Sequence, residues 1–134
     1  MTRAKTIGRY LFGVGFIVAG ANHFLNAPFY VAIMPPYLPW PLALVYISGM
    51  AEIGLGALLL VRRWARWAAW GQIALLIAVF PANLHMALHT DLYPWAWPWA
   101  LWLRLPLQAV LIAWAYVYTR PLAPPAILRS GPLV

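Results

Sequence analysis

Cysteine is absent from all 134 residues, and with it go disulfides, thiolate metal sites and every thiol-disulfide mechanism, including that of the quinone-linked membrane oxidases that make disulfides. Carboxylates are almost as scarce: Glu52 and Asp91 are the only acids. No paired carboxylates, no Gly-rich phosphate loop and no serine triad appear. Charged residues of both signs make up 8% of the chain against 65% hydrophobic, more apolar surface than one core of this size could hide. The composition is that of an integral membrane protein. A formal charge of +7 would suggest nucleic acid in a soluble domain. Here the nine Lys and Arg, Arg104 apart, sit at or beside the ends of apolar runs, where they set orientation. Nucleic acid is therefore not an expected partner, and the lipid bilayer is.

Four apolar runs, at 6–25, 42–61, 67–88 and 99–118, are each about 20 residues long and able to span. Between the first two, Asn26 to Pro41 carries Pro28, Pro35, Pro36, Pro39 and Pro41, too many for a helix and too short for another span. It is expected to form an interfacial or re-entrant cap. A tight basic connection, Arg62-Arg63-Trp64-Ala65-Arg66, joins the second and third runs, and an aromatic one, His89 to Pro98, joins the third and fourth. The chain thus divides into a four-span domain at 1–120 and a Pro-rich cytoplasmic tail at 121–134.

Arg3, Lys5 and Arg9 stand at the start of the first run, Arg62, Arg63 and Arg66 follow the second, and Arg120 and Arg129 follow the fourth. All eight fall on one side, so the positive-inside rule puts both termini in the cytoplasm and the Pro-rich cap on the outer face. Trp40, Trp95, Trp97, Trp99 and Trp102 form an outer aromatic belt, and Trp64, Trp67 and Trp70 an inner one. The basic start and Ala19-Gly20-Ala21 also resemble a cleavable signal peptide, but the run stays apolar through Phe24-Leu25. Small residues have a better use: Gly8, Gly13, Gly15 and Ala19, Gly49, Gly54 and Gly56, and Ala65 and Ala69 allow close contacts between membrane helices. The expected fold is all-α, an antiparallel four-helix bundle.

Glu52 lies ten residues from either end of the run from Leu42 to Arg62, about 15 Å deep at 1.5 Å per residue. An ionisable group at that depth faces a partner, a cavity or a ligand. Counted from the outer ends of the spans, His23 and His85 lie about 4 to 5 Å in, Asn22, Asn83 and Arg104 about 6 to 8 Å, and Gln108 and Glu52 about 14 to 15 Å. Below them only Gln72, Tyr116 and Tyr118 are polar, which describes a funnel open to the outer face. Arg104 and Gln108, and Ser48 and Glu52, are four apart and share faces, whereas Asn83 and His85 cannot both face the bundle axis. Arg104 is the only base inside the spans and is predicted to pair with Glu52, Gln108 completing its hydrogen bonds. The pair either locks the second helix to the fourth or presents a cation to a ligand oxygen while Glu52 tunes it or carries a proton. Glu52, Arg104, Gln108, Asn83, His23 and Asn22 are the candidate ligand-binding residues.

His23 and His85 at matching depth would suit haem ligation, and His23, His85, His89 and Asp91 a zinc or iron site. Hydrogen bonding explains the histidines as well, and only His85 and His89 show a ligating spacing, so no metal is assigned. Pro81 and Pro106 each free the carbonyl four residues earlier, at Ile77 and Trp102, and open space near Asn83 and Arg104.

Ala19-Gly20-Ala21-Asn22-His23-Phe24, Gly49-Met50-Ala51-Glu52-Ile53-Gly54-Leu55-Gly56 before the Arg62–Arg66 turn, Phe80-Pro81-Ala82-Asn83, and Arg104-Leu105-Pro106-Leu107-Gln108 together resemble the DoxX-like membrane proteins over nearly the whole chain. The resemblance implies a four-helix bundle in the bacterial inner membrane. Founding members are small subunits of a thiosulfate:quinone oxidoreductase, others are linked to redox homeostasis, and a eukaryotic relative is an assembly chaperone for receptor channels. Two functions stay open. In one, the funnel binds a quinone or lipid-like molecule in a redox system, Arg104 or His23 donating to a quinone oxygen and Glu52 handling protons. In the other, the protein is a non-catalytic partner of another membrane protein or of a second copy, and the Glu52 cluster is structural. A small-solute pathway stands behind both.

Overall fold

The computed structural model describes residues 3–120. The Pro-rich tail expected at 121–134, with Arg129, lies outside them. Among the described residues five α-helices follow one another: α1 Arg3–Leu25, α2 Ala27–Ala32, α3 Pro41–Leu60, α4 Ala65–Leu88 and α5 Pro98–Val117, with a 3₁₀ turn at Thr90–Leu92 before α5. Three of them, α3, α4 and α5, are long and apolar enough to cross a membrane, and they match three of the four expected runs to within two residues. The remaining run, the first, becomes α1, whose first turns carry Arg3, Lys5 and Arg9.

The segment expected to be too Pro-rich for a helix contains one, the six-residue α2. Pro28 sits in its first turn, where the missing N–H has no partner to lose and the fixed φ suits a helix. Helical structure stops at Ala32, before Pro35 and Pro36. Pro41 likewise begins α3, preceded by Trp40 in the left-handed region at φ 48°, a strained setting for a bulky side chain.

α1 lies closest to α3. A Cβ added to Gly20 would fall 2.5 Å from the Gly49 carbonyl oxygen, and one added to Gly56 would fall 2.6 Å from that of Gly13. Only glycines allow backbones this near, and van der Waals contact at such distances holds helices together where lipid removes the hydrophobic drive. Arg9 adds a polar clasp. Buried at 5% exposure, it donates from one guanidinium nitrogen to the carbonyls of Leu59 at 2.7 Å and Leu60 at 3.1 Å, two of the acceptors that the end of α3 leaves open. Its role is thus structural as well, tying α1 to the end of α3. α4 packs against both α3 and α5, and Tyr118 ties the end of α5 to α1 by donating to the Lys5 carbonyl at 3.0 Å while accepting from Trp114 Nε1 at 3.1 Å.

Two apolar clusters form. Near the basic end, Phe12, Phe16, Leu59, Ala65, Ala68, Ala69, Ile73, Leu76, Ala115 and Tyr118 pack together. Near the cap, Ile33, Met86, Tyr93 and Leu101 do so. Along α4 the first cluster ends at Leu76 and the second takes up Met86, and the polar residues of interest fall between them.

Candidate functional site

A cavity of about 290 Å³ occupies this interval, lined by Ala19 and His23 of α1, Tyr30, Ile33 and Met34 of the cap, Val45, Ser48 and Glu52 of α3, Val79, Ala82 and Asn83 of α4, and Arg104 of α5. The volume is at the lower end of small-molecule sites, and the mixture of apolar wall and few polar groups is typical of them. Four of the six residues singled out in the sequence, Glu52, Arg104, Asn83 and His23, share its wall. Gln108 and Asn22 do not.

The predicted Glu52–Arg104 ion pair does not form. Glu52 Oε2 instead lies 3.2 Å from His23 Nδ1. The reason is the glycine contact: with Gly20 against Gly49, α1 is drawn so close to α3 that His23 lies directly against Gly49, within reach of Glu52 one turn further along α3. A Cβ on Gly49 would stand 2.8 Å from that of His23. His23 Nδ1 is also 2.8 Å from the Ala19 carbonyl. A carbonyl only accepts, so the Nδ1 hydrogen is directed there, and buried Glu52 Oε2 is left without a hydrogen bond.

Arg104 donates to the thioether of Met86 at 3.6 Å, a weak acceptor for a guanidinium with five N–H groups. Among the described residues it has no carboxylate partner. The cavity thus holds an acceptor oxygen on α3 with nothing to accept from, and a donor fork on α5 with little to donate to.

Gln108 is buried and fully engaged in holding α5 to α4: its Oε1 accepts from Asn83 Nδ2 at 2.7 Å, and its Nε2 donates to the Leu76 carbonyl at 2.6 Å. That carbonyl is one residue before Ile77, whose acceptor Pro81 leaves free. Both α4 and α5 continue through their internal prolines. Asn22 donates to Tyr30 Oη at 2.7 Å and accepts from Asn26. It holds the cap in place from behind the wall.

Tyr30 is the residue that sequence reasoning missed. Its ring stacks on His23 with centroids 4.0 Å apart, its hydroxyl takes the Asn22 hydrogen bond, and its own proton is left to be donated. The signal was Asn26-Ala27-Pro28, a helix start that would have placed Tyr30 one turn in. Ser48, noted only for sharing a face with Glu52, also reaches the wall.

The expected conflict between Asn83 and His85 resolves as helical phase requires. Asn83 faces the cavity, and His85 faces the cap, stacked on His89 at 4.4 Å with its Nδ1 3.4 Å from Tyr93 Oη. His23 and His85 therefore serve different surroundings. Among the described residues no three metal-ligating side chains gather. Outside the spans, burial pushes the Tyr93 phenol above its ordinary value of 10.0.

A family model described as Domain of unknown function (DUF8561) matches residues 12–119, and the chain belongs to that family. No curated protein and no solved structure matches it.

Proposed function

We propose that the protein is a four-span antiparallel bundle of the DoxX-like design in the bacterial inner membrane, termini in the cytoplasm, whose cavity binds a quinone or similar lipid-like molecule as part of a membrane redox system. The crossed order of the glycine contacts, Gly13 with Gly56 and Gly20 with Gly49, supports opposite directions for α1 and α3. One observation carries the ligand reading: buried Glu52 Oε2 lacks a hydrogen bond, Arg104 has a thioether as its hydrogen-bond acceptor, and both line one apolar-walled cavity. A ligand with an acceptor oxygen at one end and a hydroxyl at the other satisfies both. A quinol meets that requirement, one of its oxygens accepting from Arg104 and Tyr30 and its other hydroxyl donating to Glu52, and a quinone carbonyl meets the Arg104 half of it.

A second reading, a non-catalytic membrane partner, is favoured by the clasps themselves: His23 with Glu52 joins α1 to α3, and Gln108 with Asn83 joins α5 to α4. Titration of the detergent-purified protein with a short-chain quinone, followed by tryptophan fluorescence, separates the two. Saturable quenching, weakened at least about tenfold in Arg104→Met by loss of a charged hydrogen bond, supports the first reading. Absence of saturable quenching from folded wild type, with the Arg104→Met variant equally stable, supports the second.

A further inference from the structure

At the end of the molecule away from the cavity, α3 and α4 are joined by Val61–Trp64, a tight turn closed by the Trp64 N–H donating to the Val61 carbonyl at 2.9 Å. Arg62 and Arg63 occupy its centre and Arg66 follows in the first turn of α4. All three are exposed. Two of the guanidinium groups are held over neighbouring rings, Arg63 over Trp64 at 5.4 Å and Arg66 over Trp67 at 5.8 Å. A fourth arginine comes from just beyond α5: Tyr116 of α5 meets the Trp70 ring edge-on at 6.2 Å and carries Arg120 over its own ring at 5.8 Å.

Orientation by positive charge needs only basic residues on the correct side, and lysine would serve. Here all four are arginines, three of them stacked on exposed aromatics that themselves favour the headgroup level. None lies within ion-pair distance of a carboxylate among the described residues, where the one such contact is that of Glu52 with His23. The only other acid, Asp91, lies on the turn between α4 and α5 at the cap end. A stacked guanidinium loses less freedom on binding and offers a planar fork that matches two phosphate oxygens.

We propose that the Arg62–Arg66 turn, with Arg120 from just beyond α5, is a binding surface for the phosphate headgroups of anionic phospholipids in the adjoining leaflet. Its aromatic rings lie beside the lipid glycerol region and its arginines reach the phosphates, which makes lipid rather than soluble phosphate the fitting partner.

The test is native mass spectrometry of the full chain in neutral-detergent micelles, titrated with phosphatidylglycerol or phosphatidylcholine of the same acyl chains. Phosphatidylglycerol should be retained at least about tenfold more strongly, and Arg63→Lys/Arg66→Lys, which keeps the charge and therefore the topology, should lose most of that preference. If the double variant does not fold, Trp67→Leu, which removes the exposed ring beneath Arg66, should lower the preference by about threefold. Equal retention of the two lipids, an undiminished preference in the lysine or Trp67 variant, or displacement of phosphatidylglycerol by equimolar inorganic pyrophosphate would each overturn the proposal.

Discussion

Gln72 has an exposure of 0%, and neither its Oε1 nor its Nε2 finds a hydrogen bond among the described residues. An amide buried this way gives up its water without compensation, at a cost of about 1 to 3 kcal/mol. Gln72→Leu, similar in volume and apolar like its neighbours Ile73 and Leu76, should therefore raise the thermal midpoint in detergent. A lowered midpoint would mean that the amide is satisfied in the membrane by a bound water or partner. Glu52 differs because its orphaned oxygen opens on a cavity. Its place near the middle of a long apolar helix was legible in the sequence from chain position alone. Its partner was not, because charge pointed to Arg104 while the contact is decided by which helix comes nearest.

That nearness belongs to the elements. Gly13 and Gly20 on α1, and Gly49 and Gly56 on α3, share a seven-residue spacing that puts each pair on one helix face, and the pairs meet. Gly15 and Gly54 have nothing within 4 Å of an added Cβ. The sequence marked several of these glycines alike as small, and the repeated spacing was the unused signal that separates contact glycines from the others. Gly49→Val should cost about 1 to 3 kcal/mol by overpacking and move His23 from Glu52, whereas Gly54→Ala should be neutral or stabilising by up to about 1 kcal/mol. Thermal melts of the two variants in the same detergent check this, and equal destabilisation would show that the α1–α3 contact is not as close as described. Long elements were the most legible part, since apolar runs define α3, α4 and α5 within two residues. The cap was the least, because its prolines were read as breakers when Pro28 and Pro41 stand at helix starts, the one position where proline favours a helix.

Across the whole molecule, large apolar side chains face outward from end to end, among them Val18, Leu25, Ile47, Met50, Ile77 and Val110, as a lipid environment requires. Glu52, Arg104, Asn83 and His23 are drawn to one interval between two apolar clusters. Glu52 and Arg104 meet there across a space and not in a bond, which is the arrangement expected when a third party sits between them. Native mass spectrometry of protein purified gently from its own membranes, beside Glu52→Gln and Arg104→Met, reads that third party out. Wild type should carry a lipid-like small molecule, with a mass increment that survives detergent exchange and is identified in the organic extract, and both variants should carry much less of it while melting as cooperatively as wild type. A bare wild-type mass, or an adduct equally abundant in all three proteins, would contradict a ligand held by Glu52 and Arg104.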